Sequence, residues 1–288
     1  MSETVQTLFA VFKLRIGVAI MLCTLAGIAV APGSSLEVWQ ITVLALAVLL
    51  SSASAGAFNQ WIERDLDARM HRTRKRPFVT GRFDASGYWL LGIILLLAVA
   101  VTSAALAANP MAALHVFLGA FTYGVVYTVW LKRRTRLNIV LGGLAGSFAV
   151  LAGAAAVDPG LSPAPVILAV VLFLWTPPHF WSLAFVYQDE YRQAGVPMLP
   201  SVVSNDTAAR VILAHTLVLV LLSLVPAWFG MGWIYLVGAL TGGVYFVAKS
   251  VHMVREPTKR IAWMNFHASL LQLGLLLFAA ILDTWLLG

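Results

Sequence analysis

Asn59, Glu63 and Asp67 are spaced i, i+4, i+8, with Asp65 between the last two, at the end of a long uncharged run. On a helix the first three project from one face. Carboxylates this close repel one another unless a cation lies between them. With an amide oxygen they form a hard-oxygen ligand set suited to Mg²⁺, which keeps open positions for phosphate oxygens. Arg64, Arg69, Arg72, Arg74, Lys75 and Arg76 crowd the same stretch. Guanidinium and ammonium groups there would neutralise a bound phosphate.

A second constellation runs over 175–200. The pair Pro177-Pro178 is followed by His179, and Asp189-Glu190 stands at the end of the same run. Two adjacent prolines remove backbone donors, so the sequence predicts a kink or local unwinding there. Such a break is tolerated inside a bilayer where it lines a cavity. Two acidic clusters, each beside Arg, point to a pair of Mg²⁺ ions clamping a diphosphate. A third stretch, 123–134, sets Tyr123, Tyr127 and Trp130 immediately before Lys132-Arg133-Arg134. Aromatic faces below a diphosphate-binding cluster would stabilise the carbocation left when that diphosphate departs, without trapping it. Positive-inside topology alone also accounts for Lys132 and Arg133, and an interfacial aromatic belt for Tyr127.

The elements that must position these groups are membrane helices. Hydrophobic residues make up 60% of the 288 and charged residues only 11%, and the mean hydropathy is +0.88. That excludes an ordinary soluble domain. Apolar runs of bilayer-spanning length fall near 16–31, 39–58, 88–108, 111–131, 139–157, 166–187, 211–229, 233–248 and 261–282. Pro226 and Gly230-Met231-Gly232 divide the long run 211–248 into two. The expected fold is a single all-α membrane domain over 1–288, a bundle of about nine helices. Connections 59–87 and 188–210 carry the chemistry.

All 19 Lys and Arg lie at the N-terminus or in the second, fourth, sixth and eighth connections, leaving only Glu37, Asp158 and Asp283 on the other side. By the positive-inside rule the N-terminus and the catalytic connections are cytoplasmic and the C-terminus lies outside. The expected location is the inner (plasma) membrane. The pI near 9.9 reflects this topology, and no nucleic-acid-binding motif accompanies it. The single Cys23 rules out an internal disulfide and a CxxC motif.

Taken together, these motifs resemble the UbiA-type superfamily of intramembrane aromatic prenyltransferases. Its polyprenyl-diphosphate signature NxxxDxxxD is written here Asn59, Glu63, Asp67. Within that superfamily RTxxRP (72–77), TPPHFW (176–181) and DEYxxAGxPMLP (189–200) are similar to the protohaem IX farnesyltransferase branch. Several positions depart from the usual pattern. Glu63 replaces Asp, Lys13-Leu14-Arg15 replaces KPR, Ala149-Val150 replaces a Pro-Pro pair, Ala154 replaces Trp, and Gln193 stands where relatives that use quinone precursors complete a DxxxD.

The resemblance implies transfer of a farnesyl group from farnesyl diphosphate to a vinyl group of haem b, with water added. It implies Asn59, Glu63, Asp65, Asp67, Asp189 and Glu190 as Mg²⁺ ligands and Arg72, Arg76, Lys132 and Arg133 as diphosphate contacts. Tyr127 would face the cation and His179 would contact haem. Haem A synthase or oxidase assembly factors are the partners it suggests. Two alternatives stand beside it. One is the same reaction on a quinone precursor or chlorophyll-type ring. The other is a transporter, for which charge near mid-membrane and inverted repeats are expected and not visible.

Overall fold

Lipid offers the backbone no hydrogen bonds, so each apolar run closes its own ladder as a helix. The structure, a computed structural model, describes residues 3–288. Its helices are α1 (Glu3–Val11), α2 (Leu14–Val30), α3 (Val38–Ile62), α4 (Arg64–Arg69), α5 (Gly87–Ala107), α6 (Pro110–Phe121), α7 (Asn138–Gly142), α8 (Leu144–Val157), α9 (Pro163–Val186), α10 (Gln188–Gln193), α11 (Leu199–Val202), α12 (Asn205–Leu222), α13 (Trp233–Arg255) and α14 (Lys259–Leu287). A π-helical stretch, Thr122–Leu131, continues α6, and a 3₁₀ turn, Val225–Phe229, follows α12. Among the described residues eight helical segments are long and apolar enough to cross a membrane. They become nine when α1 and α2, bent by 50° at Lys13, count as one span.

The expected spans are therefore present, but several outrun their apolar cores. α3 continues to Ile62 and α13 to Arg255, because the i→i+4 ladder does not stop where polarity begins. The divide near Pro226 falls as expected, with Gly230 in the left-handed region (φ 101°) ending the 3₁₀ turn. The expected unwinding at Pro177-Pro178 does not occur: α9 runs unbroken from Pro163 to Val186 with both prolines buried inside it. Small and polar neighbours pack closely around this segment. A Cβ placed on Gly143 would lie 3.2 Å from the Phe173 carbonyl, the acceptor Pro177 leaves without its helical donor. Ser182 Oγ donates to the Pro178 carbonyl at 2.6 Å. The irregular backbone sits instead in the wide turns of Thr122–Leu131, a geometry that concentrates at functional sites.

Packing relies on small residues, as expected where lipid removes the hydrophobic drive between helices. At the α2–α8 crossing Gly27 lies against the Val150 carbonyl and Gly153 against the Thr24 carbonyl. Thr24 Oγ1 also donates to the Ala149 oxygen at 2.9 Å. Gly153→Leu should therefore lower stability by more than about 3 kcal/mol, the upper end of ordinary overpacking. The check is the thermal unfolding midpoint in detergent. Gly146→Ala, inside α8 and meeting only open space, should hold that midpoint or raise it slightly, since alanine favours the helix over glycine.

Buried polar groups stitch the second half. Asn265 on α14 donates to Ser182 on α9 at 3.0 Å and accepts from Ser250 on α13 at 3.0 Å. Asp283, read from sequence as an outer charge, is 3% exposed. It accepts from the Gly232 and Tyr235 N–H groups at 2.6 and 3.0 Å, neutralising the start of α13. At the opposite end the N-terminal bend and the second, fourth, sixth and eighth connections meet through ion pairs and hydrogen bonds. Beneath them lies an aromatic-rich core that includes Tyr127, Trp181, Phe185 and Tyr191.

Candidate active site

α3 delivers Asn59 to the charged end. Glu63 then separates α3 from α4 (φ −94°, ψ 18°) but bonds to both sides of the break, its N–H reaching Asn59 O at 3.1 Å and its carbonyl accepting from Asp67 N–H at 2.8 Å. The three side chains consequently share a face, with 2%, 1% and 2% of their surface exposed. Charges this deep must be compensated. Lys132 Nζ donates to Glu63 Oε2 at 2.5 Å, and Arg76 Nη1 donates to both Asp67 oxygens at 2.8 and 2.7 Å. The Asn59 amide donates to Glu63 Oε2 at 2.7 Å and to Thr128 Oγ1 at 3.1 Å, while its oxygen accepts from Lys13 Nζ at 2.6 Å. Glu63 Oε1 is buried with no partner among the described residues.

Lys13 reaches this point from the bend between α1 and α2, where its backbone is left-handed (φ 49°). That costs roughly 1–2 kcal/mol for a non-glycine residue. Gly56 leaves a channel on α3 for its stem: a Cβ there would lie 3.3–3.4 Å from three Lys13 carbons. Gln60 Nε2 holds the preceding turn through the Ala10 and Val11 carbonyls at 2.8 and 3.2 Å. Lys13 Nζ also donates to Tyr123 OH at 2.9 Å.

The wide turns after α6 place Tyr123 and Tyr127 in a stack, centroids 5.7 Å apart and 19° from parallel. Lys132 Nζ lies 5.8 Å from the Tyr127 ring centroid. Gly142 is required here, because a Cβ would come within 2.8 Å of that ring. Arg72 joins the two acidic stretches: its N–H donates to Glu190 Oε2 at 3.2 Å, its guanidinium to Tyr191 OH at 3.3 Å, and it lies 5.3 Å from the Tyr187 ring centroid. Burial pushes the Tyr191 hydroxyl pKa up.

Other sequence-assigned residues lie apart from this cluster. Asp65 and Arg133 form a two-point pair at 2.7 and 2.7 Å, with side chains 53% and 44% exposed. The Arg133 bond holds Asp65 down to about 2. Such a group keeps its contribution above its unfolded pKa and loses it only as pH falls toward 2, so this rim brace stays intact at working pH. Asp189, half-exposed, turns outward to Lys259 at 2.7 Å, which lowers its pKa, with Arg192 at 3.3 Å. Among the described residues no three His, Cys, Asp or Glu side chains converge as a metal site; the buried carboxylates hold cationic side chains instead. His179 lies higher on α9, beside Trp175, Phe266 and Ser269.

Lys13 and Thr128 received no site role from sequence. A cation ahead of the first span has a sufficient topological explanation, and a lone Thr in a span has a helical one. The available signal for Lys13 was its place in Lys13-Leu14-Arg15, where the pattern noted above has KPR.

The UbiA prenyltransferase family profile matches residues 20–278. The chain belongs to that family. Protoheme IX farnesyltransferase 2 of Paramagnetospirillum magneticum is 57% identical over 288 residues, covering 100% of both chains. Protoheme IX farnesyltransferase 1 of the same organism is 44% identical, over 97% of this chain and 99% of that one. The protoheme IX farnesyltransferase of Methylorubrum extorquens is 38% identical, over 99% and 90%. Among solved structures, a digeranylgeranylglyceryl phosphate synthase superposes with a TM-score of 0.79 at 16% identity, covering 98% and 99% of the two chains. A UbiA homologue from Archaeoglobus fulgidus bound to GPP and Mg²⁺ gives 0.70 at 16% identity, covering 96% and 99%. At that identity the superpositions establish a shared UbiA fold.

Proposed function

We propose that this UbiA-family protein transfers the farnesyl group of farnesyl diphosphate to a vinyl carbon of haem b, releasing diphosphate. The buried cluster of alternating carboxylates and cations, with Glu63 Oε1 left unpaired, carries the prenyl-diphosphate half. Whole-length similarity to proteins named protoheme IX farnesyltransferase supports the acceptor. The concentration of Lys and Arg at one end of the bundle supports a cytoplasm-facing site in the inner membrane, with the C-terminus outside.

The residues fit a divalent cation. Glu63 Oε1 is an acceptor already lacking a donor, and Asn59 and Asp67 add oxygens on the same face. Asn59, Glu63 and Asp67 would hold one Mg²⁺. Glu190, with Asp189 released from Lys259, would hold a second. Magnesium supplies electrostatic stabilisation of the negative charge that builds on the departing diphosphate.

The protein's own part is an exchange of partners. Lys132 and Arg76 neutralise Glu63 and Asp67, and Lys13 is held by the Asn59 amide oxygen; with a diphosphate bound, all three cations would turn to its phosphate oxygens, leaving the carboxylates to a divalent cation. Buried charge stays compensated throughout. Arg72, already spanning both acidic stretches, closes over the diphosphate, and Arg133 reaches it only by releasing Asp65. The stacked Tyr123 and Tyr127 faces would then lie beside the allylic cation; the haem vinyl group attacks it, water adds to the cation left on the carbon next to the ring, and the proton that water releases leaves with the diphosphate. His179 holds the haem.

Removing divalent metal with EDTA should abolish farnesyl diphosphate consumption, and Mg²⁺ should restore it. The assay is diphosphate release by the purified protein given haem b. Full release after exhaustive chelation would overturn the metal-dependent mechanism.

A further inference from the structure

Among buried groups outside the charged cluster, His179 has the most fully constrained surroundings. Its ring lies between Trp175 on its own helix (4.1 Å, 17° from parallel) and Phe266 on α14 (4.5 Å, 27°), and Trp263 extends the stack beyond Phe266 (5.3 Å, 15°). With both faces covered, the imidazole can meet a ligand only through its edge.

One edge atom is occupied: Nδ1 lies 2.7 Å from Ser269 Oγ. A serine hydroxyl has one proton, and the assignment that satisfies both of its contacts gives that proton to the Phe266 carbonyl at 2.6 Å, since a carbonyl can only accept. Ser269 therefore accepts from His179, so Nδ1 carries the ring proton. In the neutral ring Nε2 then bears a bare in-plane lone pair, and among the described residues it has no hydrogen-bond partner. The Ser269 carbonyl accepts from Trp175 Nε1 at 2.9 Å, which holds one wall of the stack. One residue thus fixes both the proton position and the ring's orientation.

We propose that Ser269 is a positioning residue that holds His179 as the Nδ1–H tautomer and so directs Nε2 as an electron-pair donor to the iron of the haem acceptor. This extends the haem assignment made above and rests on it. The tautomer separates two ways of holding haem. Iron ligation needs a bare Nε2, and a hydrogen bond at Nδ1 orients such a ligand and raises its basicity. A hydrogen bond from Nε2 to a haem propionate would need a proton on the nitrogen that this arrangement leaves bare.

The test is titration of ferric haem b into the purified protein without farnesyl diphosphate, followed by absorbance and electron paramagnetic resonance. Ser269→Ala should weaken haem binding 10–100-fold, the usual effect of losing an outer partner of a metal-bound histidine, and should change the spectrum of the bound haem. Ser269→Thr, which keeps the hydroxyl, should restore both; Ser269→Val, the same shape as the threonine variant without its hydroxyl, should not. This pair decides the matter even if the alanine variant folds poorly. Binding of a non-hydrolysable farnesyl diphosphate analogue should be unchanged in every folded variant. If Ser269→Val matched wild type in affinity and spectrum while His179→Ala did not, the positioning role would be wrong and the haem site would stand. If His179→Ala also kept the wild-type spectrum, the haem assignment of His179 would itself fail.

Discussion

Glu63→Gln should lower farnesyl transfer by about 10²-fold or more, the scale of losing one preorganised electrostatic contact at a developing charge. The substitution keeps the size of the side chain and its bond to Asn59, but removes the negative charge that pairs with Lys132 and that the proposed Mg²⁺ would share. Lys132 is then left buried without its counter-charge. Glu63→Asp, the residue more usual in this motif, should retain much of the activity. The comparison is turnover by purified protein at saturating farnesyl diphosphate and Mg²⁺, with thermal unfolding as the control for folding. Near-wild-type turnover in Glu63→Gln would remove this carboxylate from the metal site.

His179→Ala should reduce haem binding by about 10²-fold or more while leaving the diphosphate end intact. The two regions share no hydrogen bond: His179 is held by Ser269, Trp175 and Phe266, and the cation cluster by Asn59, Glu63, Asp67, Lys13, Lys132 and Arg76. Groups this separate should act additively, so the affinity for a farnesyl diphosphate analogue should be unchanged. Equal loss of both affinities would indicate a general packing defect instead.

Much of the bundle was legible because a bilayer imposes a length on apolar runs and a side on Lys and Arg. The buried polar cluster was legible for a related reason: in a chain with so little charge, Asn59, Glu63, Asp67 and Arg76 stand out. Pro177-Pro178 misled because the sequence shows the lost donors but not the surrounding helices, among which α9 stays helical with both prolines buried. Asp65 differs from Glu63 and Asp67 only in which side of α4 it occupies, and that side faces Arg133 at the rim. Lys13 and Ser269 were not singled out as site residues. Each acts across the fold, Lys13 onto α3 and Ser269 onto α9, and nothing local in their sequence surroundings marks that contact.

The most direct measurement is the mass of the product formed when purified protein, Mg²⁺, farnesyl diphosphate and haem b are combined. A porphyrin carrying one farnesyl chain and one hydroxyl group more than haem b, formed in step with released diphosphate, is the expected result. Unmodified haem b, alongside a farnesylated quinone precursor when that acceptor is supplied, would contradict the account.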